Sequence, residues 1–328
     1  MAVRLQAVRT VWLWRAAVVV AALALAASAV QAEPLQATKL SEHVHYFQGA
    51  VGQASAANQG FMSNAGFVVT SEGVVVFDTL GTPALGQGMI DAIRRITDQP
   101  IRRVILSHYH ADHFYGAQSF KAIGAEIWAH AAGRASLTAD LAQQRLAQRR
   151  ADLFPWVDEN TRLVPADRWL AFDPGGELRF ELGGVRFRLL DVGGAHSPED
   201  LMMFVENDAV LFAGDLYFTG RVPFVGGANT RAWLRALGRL TALSPAMAVP
   251  GHGAASRHVA DDLRLTRDYL TYLRDQMARA VEELTPFDEA YRAVDWSRYA
   301  KVPAFGPANR LNASSVYLEM ERESLQKP

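Results

Sequence analysis

Three imidazoles and a carboxylate fall within six positions of this 328-residue chain, in the run His108-Tyr109-His110-Ala111-Asp112-His113. Neutral imidazole and ionised carboxylate are the ligands zinc takes in water-activating sites, where at least one coordination position stays open. The run directly follows an apolar, β-like stretch, Val104-Ile105-Leu106. On a strand tip, residues two apart face the same way, so His108 and His110 can converge on one metal. The chain then turns, and Asp112 and His113 can point at a second metal close to the first.

Three more residues of ligand type lie downstream, each in a turn-rich loop just past an apolar run. His196 stands in Gly193-Gly194-Ala195-His196-Ser197-Pro198-Glu199-Asp200, after a strand-like run over 185–190. Asp215 ends Leu211-Phe212-Ala213-Gly214-Asp215, and His252 lies in Val249-Pro250-Gly251-His252-Gly253. Loops held by a rigid scaffold are where catalytic groups concentrate. Strands must end somewhere and turns tolerate histidine, but that accounts for one such position rather than four together.

In this order, His-x-His-x-Asp-His, Gly-x-His-Ser-Pro, Gly-Asp and Gly-His-Gly resemble the metallo-β-lactamase superfamily. The motifs span residues 108–253, and the surrounding strand pattern extends the likeness to about 40–275. The resemblance implies an α/β fold, a four-layered αββα sandwich, with a dinuclear site at the edge where the two sheets meet. It implies that His108, His110 and His196 hold one metal, that Asp112, His113 and His252 hold the other, and that Asp215 bridges both. Two zinc ions per chain are expected, with iron or manganese as alternatives, and Asp112 and Asp215 are the carboxylates expected to take part in catalysis. Asp78, which closes the run Val74-Val75-Val76-Phe77, would brace the metal loop through hydrogen bonds, as partners beyond the ligands do.

Position 215 divides the superfamily. Drug-hydrolysing lactamases carry Cys or Ser there, whereas this chain has Asp215 and no cysteine. It is therefore more similar to the glyoxalase II type of site, although the span from His113 to His196 is long and no glutathione-binding basic cluster stands out. The stretch 214–223 with Trp233-Leu234 resembles periplasmic hydrolases associated with quinoprotein and sulfur-oxidation systems, which would supply protein partners. The expected reaction is hydrolysis of an ester, thioester or related acyl bond of a small molecule. Alternatives are a β-lactam hydrolase, an iron-dependent oxidoreductase of the persulfide dioxygenase kind, and a non-catalytic periplasmic metal or ligand carrier. Tyr109 and Tyr217 flank the ligands as substrate contacts or simple packing.

The elements around these residues follow from pattern. Half of the residues are hydrophobic and 20% are charged, enough for a sizeable core. The balance of 33 basic against 34 acidic residues gives no basis for a nucleic-acid partner. Strands are expected over 40–47, 67–70, 74–77, 101–106 and 125–128, the second and third joined at Ser71-Glu72-Gly73. Helices are expected over 89–97, 112–123, 131–152 and 257–284, with a looser flap over 154–173 and a turn near Pro303 to Pro307. A last helix is expected from Asn312, as its N-cap, to about residue 324. His43 and His45 read as a polar strand face, and His130 and His258 as structural or exposed. Arg4, Arg9 and Arg15, an alanine-rich apolar stretch over 16–30 and Val30-Gln31-Ala32 describe a secretory signal peptide over 1–32. The apolar stretch is short for a bilayer span of about 20 residues, so the mature chain is expected in a periplasm without stable membrane insertion. The expected division is a hydrolase domain over 33–284 and a docked helical C-terminal extension over 285–328.

Overall fold

The computed structural model describes residues 34–326, so the expected leader over 1–32 lies outside them. Two sheets stack with helices on both outer faces, giving the four layers α, β, β, α. The first sheet runs β1 (Thr38–Lys39), β2 (Val44–Phe47), β3 (Ala65–Thr70), β4 (Gly73–Phe77), β5 (Ile101–Ile105), β6 (Glu126–His130) and β7 (Arg168–Leu170) in sequence order. Pairing is antiparallel from β1 to β4 and parallel from β4 to β7. The second sheet holds β8 (Glu177–Leu182), β9 (Val185–Asp191), β10 (Leu201–Val205), β11 (Val210–Phe212) and β12 (Met247–Val249), with only β11 and β12 parallel.

Alternation along the strands builds three apolar layers. In β4, Val75 and Phe77 point between the sheets, where they join Val68, Ile105, Phe187, Leu189, Met203 and Phe212. Val74 and Val76 point the other way, onto helix α1 (Pro83–Ile96) through Leu85, Met89, Ile90 and Ile93. A strand buried on both faces reads as a continuous apolar run, as Gly73 to Phe77 does. The outer face of the second sheet is covered through Leu190, Met202 and Leu211 by the helices after residue 229.

Local chemistry moves several helix boundaries from their expected places. Helix α1 starts at Pro83, ahead of residue 89, because Thr82 caps it by accepting a hydrogen bond from the Leu85 amide and proline suits the first helical turn. The expected helix over 112–123 is two short ones, α2 (Ala111–Phe114) and α3 (Ala117–Ala122). The Gly116 amide leaves the helical ladder to bond the Leu80 carbonyl, and a Cβ at Gly116 would sit 1.9 Å from the Thr79 oxygen. The pattern over 131–152 likewise divides, at extended Ala139, into α4 (Gly133–Thr138) and α5 (Asp140–Asp152). The first expected strand shortens to β2, and the looser stretch 154–173 contributes β7.

The C-terminal part carries α6 (Thr230–Ala242), α7 (Val259–Glu282), α8 (Phe287–Ala293) and α9 (Phe305–Leu325). Helix α9 contributes Ala313, Val316 and Met320 to the same core as Trp233 of α6 and Leu270 of α7. It begins before the expected turn ends, since Pro307 falls in its first turn, where a missing N–H breaks no helical hydrogen bond. Asn312 is therefore mid-helix rather than a cap. Its fully buried amide accepts from the Val225 amide at 2.8 Å and lies 2.8 Å from the Pro223 carbonyl, to which it donates. Among the described residues, no helix is long and apolar enough to cross a membrane. Replacing Asn312 with Leu strands both loop groups in a dry setting, so urea unfolding should show a loss of about 2–4 kcal/mol. A stability change below about 0.5 kcal/mol would contradict that role for Asn312.

Candidate metal centre

All seven predicted ligands meet at one edge of the sandwich, each just past the carboxyl end of a strand. His108 follows β5, His110 immediately precedes α2, and Asp112 and His113 lie within α2. His196 sits on the loop between β9 and β10, Asp215 in a single 3-10 turn after β11, and His252 after β12. They fall into two groups, His108, His110, His196 and Asp215 in one and Asp112, His113 and His252 in the other. Within each group, one candidate ligand atom per residue lies within 4.8 Å of the rest.

Asp215 stands between the groups. Its Oδ2 is 3.3 Å from His196 Nε2, while its Oδ1 is 3.1 Å from His113 Nε2 and 3.3 Å from His252 Nε2. Asp112 closes the second group, with its Oδ2 3.3 Å from His252 Nε2 and 3.6 Å from His113 Nε2. His196 Nε2 and His110 Nδ1 are 2.9 Å apart. Glycine makes this closeness possible, because a Cβ at Gly251 would lie 2.0 Å from Asp215 Oδ1 and 2.8 Å from the Gly214 backbone.

An outer ring of hydrogen bonds aims the rings inward. Asp78 accepts from the Ser107 amide at 2.7 Å and from the Ser107 hydroxyl at 2.8 Å, and its Oδ2 lies 2.9 Å from His113 Nδ1. It therefore braces the metal loop in the manner expected of it. His108 Nδ1 is 2.9 Å from the Ser107 hydroxyl, and His252 Nδ1 donates to the Met62 carbonyl at 2.8 Å. With Nδ1 so engaged, the Nε2 atoms of His108, His113 and His252 are left for the cluster. Asp200 does the same for the His196 loop, accepting from the Ala195 and Ser197 amides and the Ser197 hydroxyl.

The residues fit divalent cations. His108 Nε2, His113 Nε2 and Asp215 Oδ1 are buried without an aligned hydrogen bond, a costly state for polar atoms. Burial, reinforced by neighbouring histidines, holds His108 well below its usual range and His110 down at about 3. Burial likewise brings His196 to about 4, although Asp215 opposes it. These rings therefore keep the neutral form that ligates metal. Burial also pulls on His113, but the charges of Asp215, Asp112 and Asp78 outweigh it and raise that ring well above its usual range. Burial pushes Asp215 up, and the facing His252 and His113 more than reverse this, leaving it ionised.

Other singled-out residues lie apart from the cluster. His45 stacks on Phe67 at 4.9 Å, and His43 pairs with Asp208 at 2.9 Å. His130 stacks on Phe172, while His258 is exposed. Tyr109 packs against Phe114 and Trp169, and the Tyr217 hydroxyl hydrogen-bonds Asp262 at 3.1 Å. Residues unanticipated from sequence include Asn64, which accepts from the Gly49 amide and donates to the Pro250 and Gly253 carbonyls, clamping the His252 loop. No spacing signal links position 64 to 250. Asp200 was more accessible to reasoning, as a carboxylate four residues after a candidate ligand and directly before an apolar strand.

Residues 58–252 match the metallo-beta-lactamase superfamily, and the chain belongs to that family. A linear primary-alkylsulfatase from Pseudomonas sp. (strain ATCC 19151) is 24% identical over 252 residues, covering 66% of this chain and 47% of the relative. The stereoselective inverting sec-alkylsulfatase Pisa1 from Pseudomonas sp. superposes with a TM-score of 0.65 at 17% identity, over 90% of this chain and 52% of its own. A metallo-beta-lactamase from Pontibacter korlensis gives 0.55 at 20% identity, over 72% and 99% respectively. The chain spans about half the length of these alkylsulfatases. At such identities the solved structures share the fold.

The contact between Gly251 and Asp215 is open to a direct check. In Gly251→Ala the added methyl should expel the Asp215 carboxylate and cost about 1–3 kcal/mol. Thermal melting with a crystal structure reads both effects, and an unmoved Asp215 at unchanged Tm would refute the steric argument.

Proposed function

We propose that this protein is an exported dinuclear zinc hydrolase acting on an ester-type bond of a small molecule. The observation that carries this reading is Asp215, which turns one oxygen to His196 of the first ligand group and the other to His113 and His252 of the second. A carboxylate shared in this way would neutralise part of the charge of cations held by the two groups. His108, His110 and His196 would hold one ion, and Asp112, His113 and His252 the other. Cations bound there supply Lewis acidity and lower the pKa of solvent toward about 7.

The chain's own groups set the rest. Asp112 has the more accessible side chain of the two carboxylates, 16% exposed against 5% for Asp215. In this reading it would take a proton from the attacking water and pass it to the departing oxygen as the new bond to water forms and the ester bond breaks. Asp78, Ser107 and Met62 hold the imidazoles so that no reorganisation is needed. Membership of the superfamily and the alkylsulfatase relatives support ester hydrolysis, with sulfate esters added to the acyl and thioesters that the residues alone suggest. A signal peptide over 1–32 would deliver the enzyme to the periplasm, where small molecules and quinoprotein or sulfur-oxidation proteins are its partners.

Elemental analysis of active protein should find about two zinc ions per chain, whereas a single iron would point to oxygen chemistry. Asp215→Ala should lower kcat/KM by at least about 100-fold and release at least one ion. Retention of both ions with near-normal turnover would refute the bridging role. On the same zinc-loaded sample, esters and thioesters should be turned over faster than a chromogenic cephalosporin; the reverse order would overturn the ester assignment. Export has its own readout: in a Gram-negative host the mature chain should be periplasmic and start near Glu33, and a full-length chain in the membrane fraction would refute it.

A further inference from the structure

Glu199 belongs to the motif around His196, yet its carboxylate hydrogen-bonds none of the seven candidate ligands. The residue is 3% exposed and forms no ion pair among the described residues. Its two oxygens take neutral donors instead. Oε1 accepts from the Tyr109 amide at 3.2 Å, and Oε2 accepts from the Ser136 hydroxyl of α4 at 2.8 Å. Burial pushes this carboxyl above its usual range although both hydrogen bonds oppose the shift, and the charge of Arg145 acts only from beyond ion-pair distance. Glu319, similarly buried, has Arg274 beside it at 3.3 Å. Burying a carboxylate is costly, and two bonds from neutral groups recover only part of that cost.

The bond to Tyr109 continues a pattern laid down by the backbone. Leu201 donates to the Ser107 carbonyl at 2.9 Å, where β10 begins beside the end of β5. The bond from the Tyr109 amide to Glu199 follows in antiparallel register, two residues further along each segment. His108 is therefore bracketed by a rung on either side, with His110 just beyond the second rung and His196 three residues before Glu199. Tyr109 is gripped at its ring as well. It lies edge-on to Phe114 at 4.8 Å and stacks on Trp169 at 5.9 Å, and a Cβ at Gly133 of α4 would lie 2.7 Å from the ring. Since Ser136 sits on the same helix, α4 holds Tyr109 directly at its ring and, through Glu199, at its amide. The second ligand group has other supports: Asp78 at His113, the Met62 carbonyl at His252, Asn64 at the 250–253 loop and the Ser63 hydroxyl at the Asp112 carbonyl. None of these involves Glu199.

We propose that Glu199 is a positioning residue for the first ligand group, holding the Tyr109 backbone so that His108, His110 and His196 stand at the spacing a cation needs, and that it does so by hydrogen bonding rather than by its charge. This rests on the dinuclear reading above and deepens it by giving the two groups separate supports. The test uses the full chain, stripped of metal and dialysed against zinc, as wild type, Glu199→Ala, Glu199→Gln and Ser136→Ala, with anomalous scattering from crystals reading the occupancy of each group. Glu199→Ala should weaken zinc binding at the first group by about 10–100-fold while the second changes by less than about 3-fold. In Glu199→Gln the amide oxygen can accept from Tyr109 and the NH2 can donate to the Ser136 hydroxyl, so binding should stay within about 3-fold of wild type. Ser136→Ala leaves the Tyr109 bond in place and should fall between, at about 3–10-fold, and it carries the test if Glu199→Ala does not fold. An equal fall at both groups, unchanged binding at the first, or a loss in Glu199→Gln as large as in Glu199→Ala overturns the proposal. If the wild type holds no zinc at one of the groups, the dinuclear reading fails, and the metal-free protein decides Glu199 separately. There the Tyr109 amide should exchange with deuterium at least about 10-fold faster in Glu199→Ala than in wild type, and within about 3-fold of it in Glu199→Gln. Exchange at the wild-type rate in Glu199→Ala, or in Ser136→Ala should the former not fold, overturns the proposal.

Discussion

The arrangement at the sheet edge depends on one buried carboxylate placed among imidazoles. Asp215 is within 3.3 Å of three histidine nitrogens drawn from three separate segments of the chain. Such crowding is tolerable because charge opposes charge. The histidines keep Asp215 ionised, and Asp215 with Asp112 and Asp78 compensates His113. The backbone must cooperate too. Gly251 passes so close to Asp215 that any side chain would occupy the space of the carboxylate, and Gly116 allows α2 to end against Thr79. Under the dinuclear reading, metal uptake and folding would be coupled, because His108 Nε2 and His113 Nε2, buried without an aligned hydrogen bond, would find their partners in the ions.

Support for this centre is spread unevenly through the fold. Its candidate ligands follow strands of both sheets, so the apolar layer between them, from Val75 and Ile105 to Leu189 and Phe212, sets how closely the two halves approach. Close-packed interiors transmit changes of volume. A substitution in that layer therefore acts on ligand spacing even though it touches no ligand. The outer ring, with Asp78 and Ser107 on one sheet and Asp200 and Ser197 near the other, limits how far each loop can follow such a change.

Much of this was legible in the sequence because ligand chemistry is local. His108, His110, Asp112 and His113 lie in one run, and His196, Asp215 and His252 each follow a recognisable apolar strand. Asp78, which ends a strand in the same way, could be read as a brace because the family resemblance implied that role. What escaped depended on contacts between distant segments. Asn64 reaches Pro250 across 186 positions, and Asn312 reaches Val225 across 87. A polar residue in a helical pattern looks like a cap or a solvated face until its neighbours are known, which is why Asn312 resembled a helix start. The breaks at Gly116 and Ala139 were hidden for a related reason, since helical periodicity continued through both.

The clasp between Asn312 and the loop at 223–225 also bears on the order of assembly during synthesis. Every candidate ligand has left the ribosome by the time residue 252 does, whereas the residue that fixes the loop at 223–225 comes 60 positions later. The two sheets and their histidines can therefore associate while that loop still lacks its anchor. The centre is thus built early, and the wall beside it is set last. A chain cut short before α9 would keep every candidate ligand and lose the definition of the surface next to them. Selection acting on the last helix can accordingly reshape that surface while leaving the ligand set untouched.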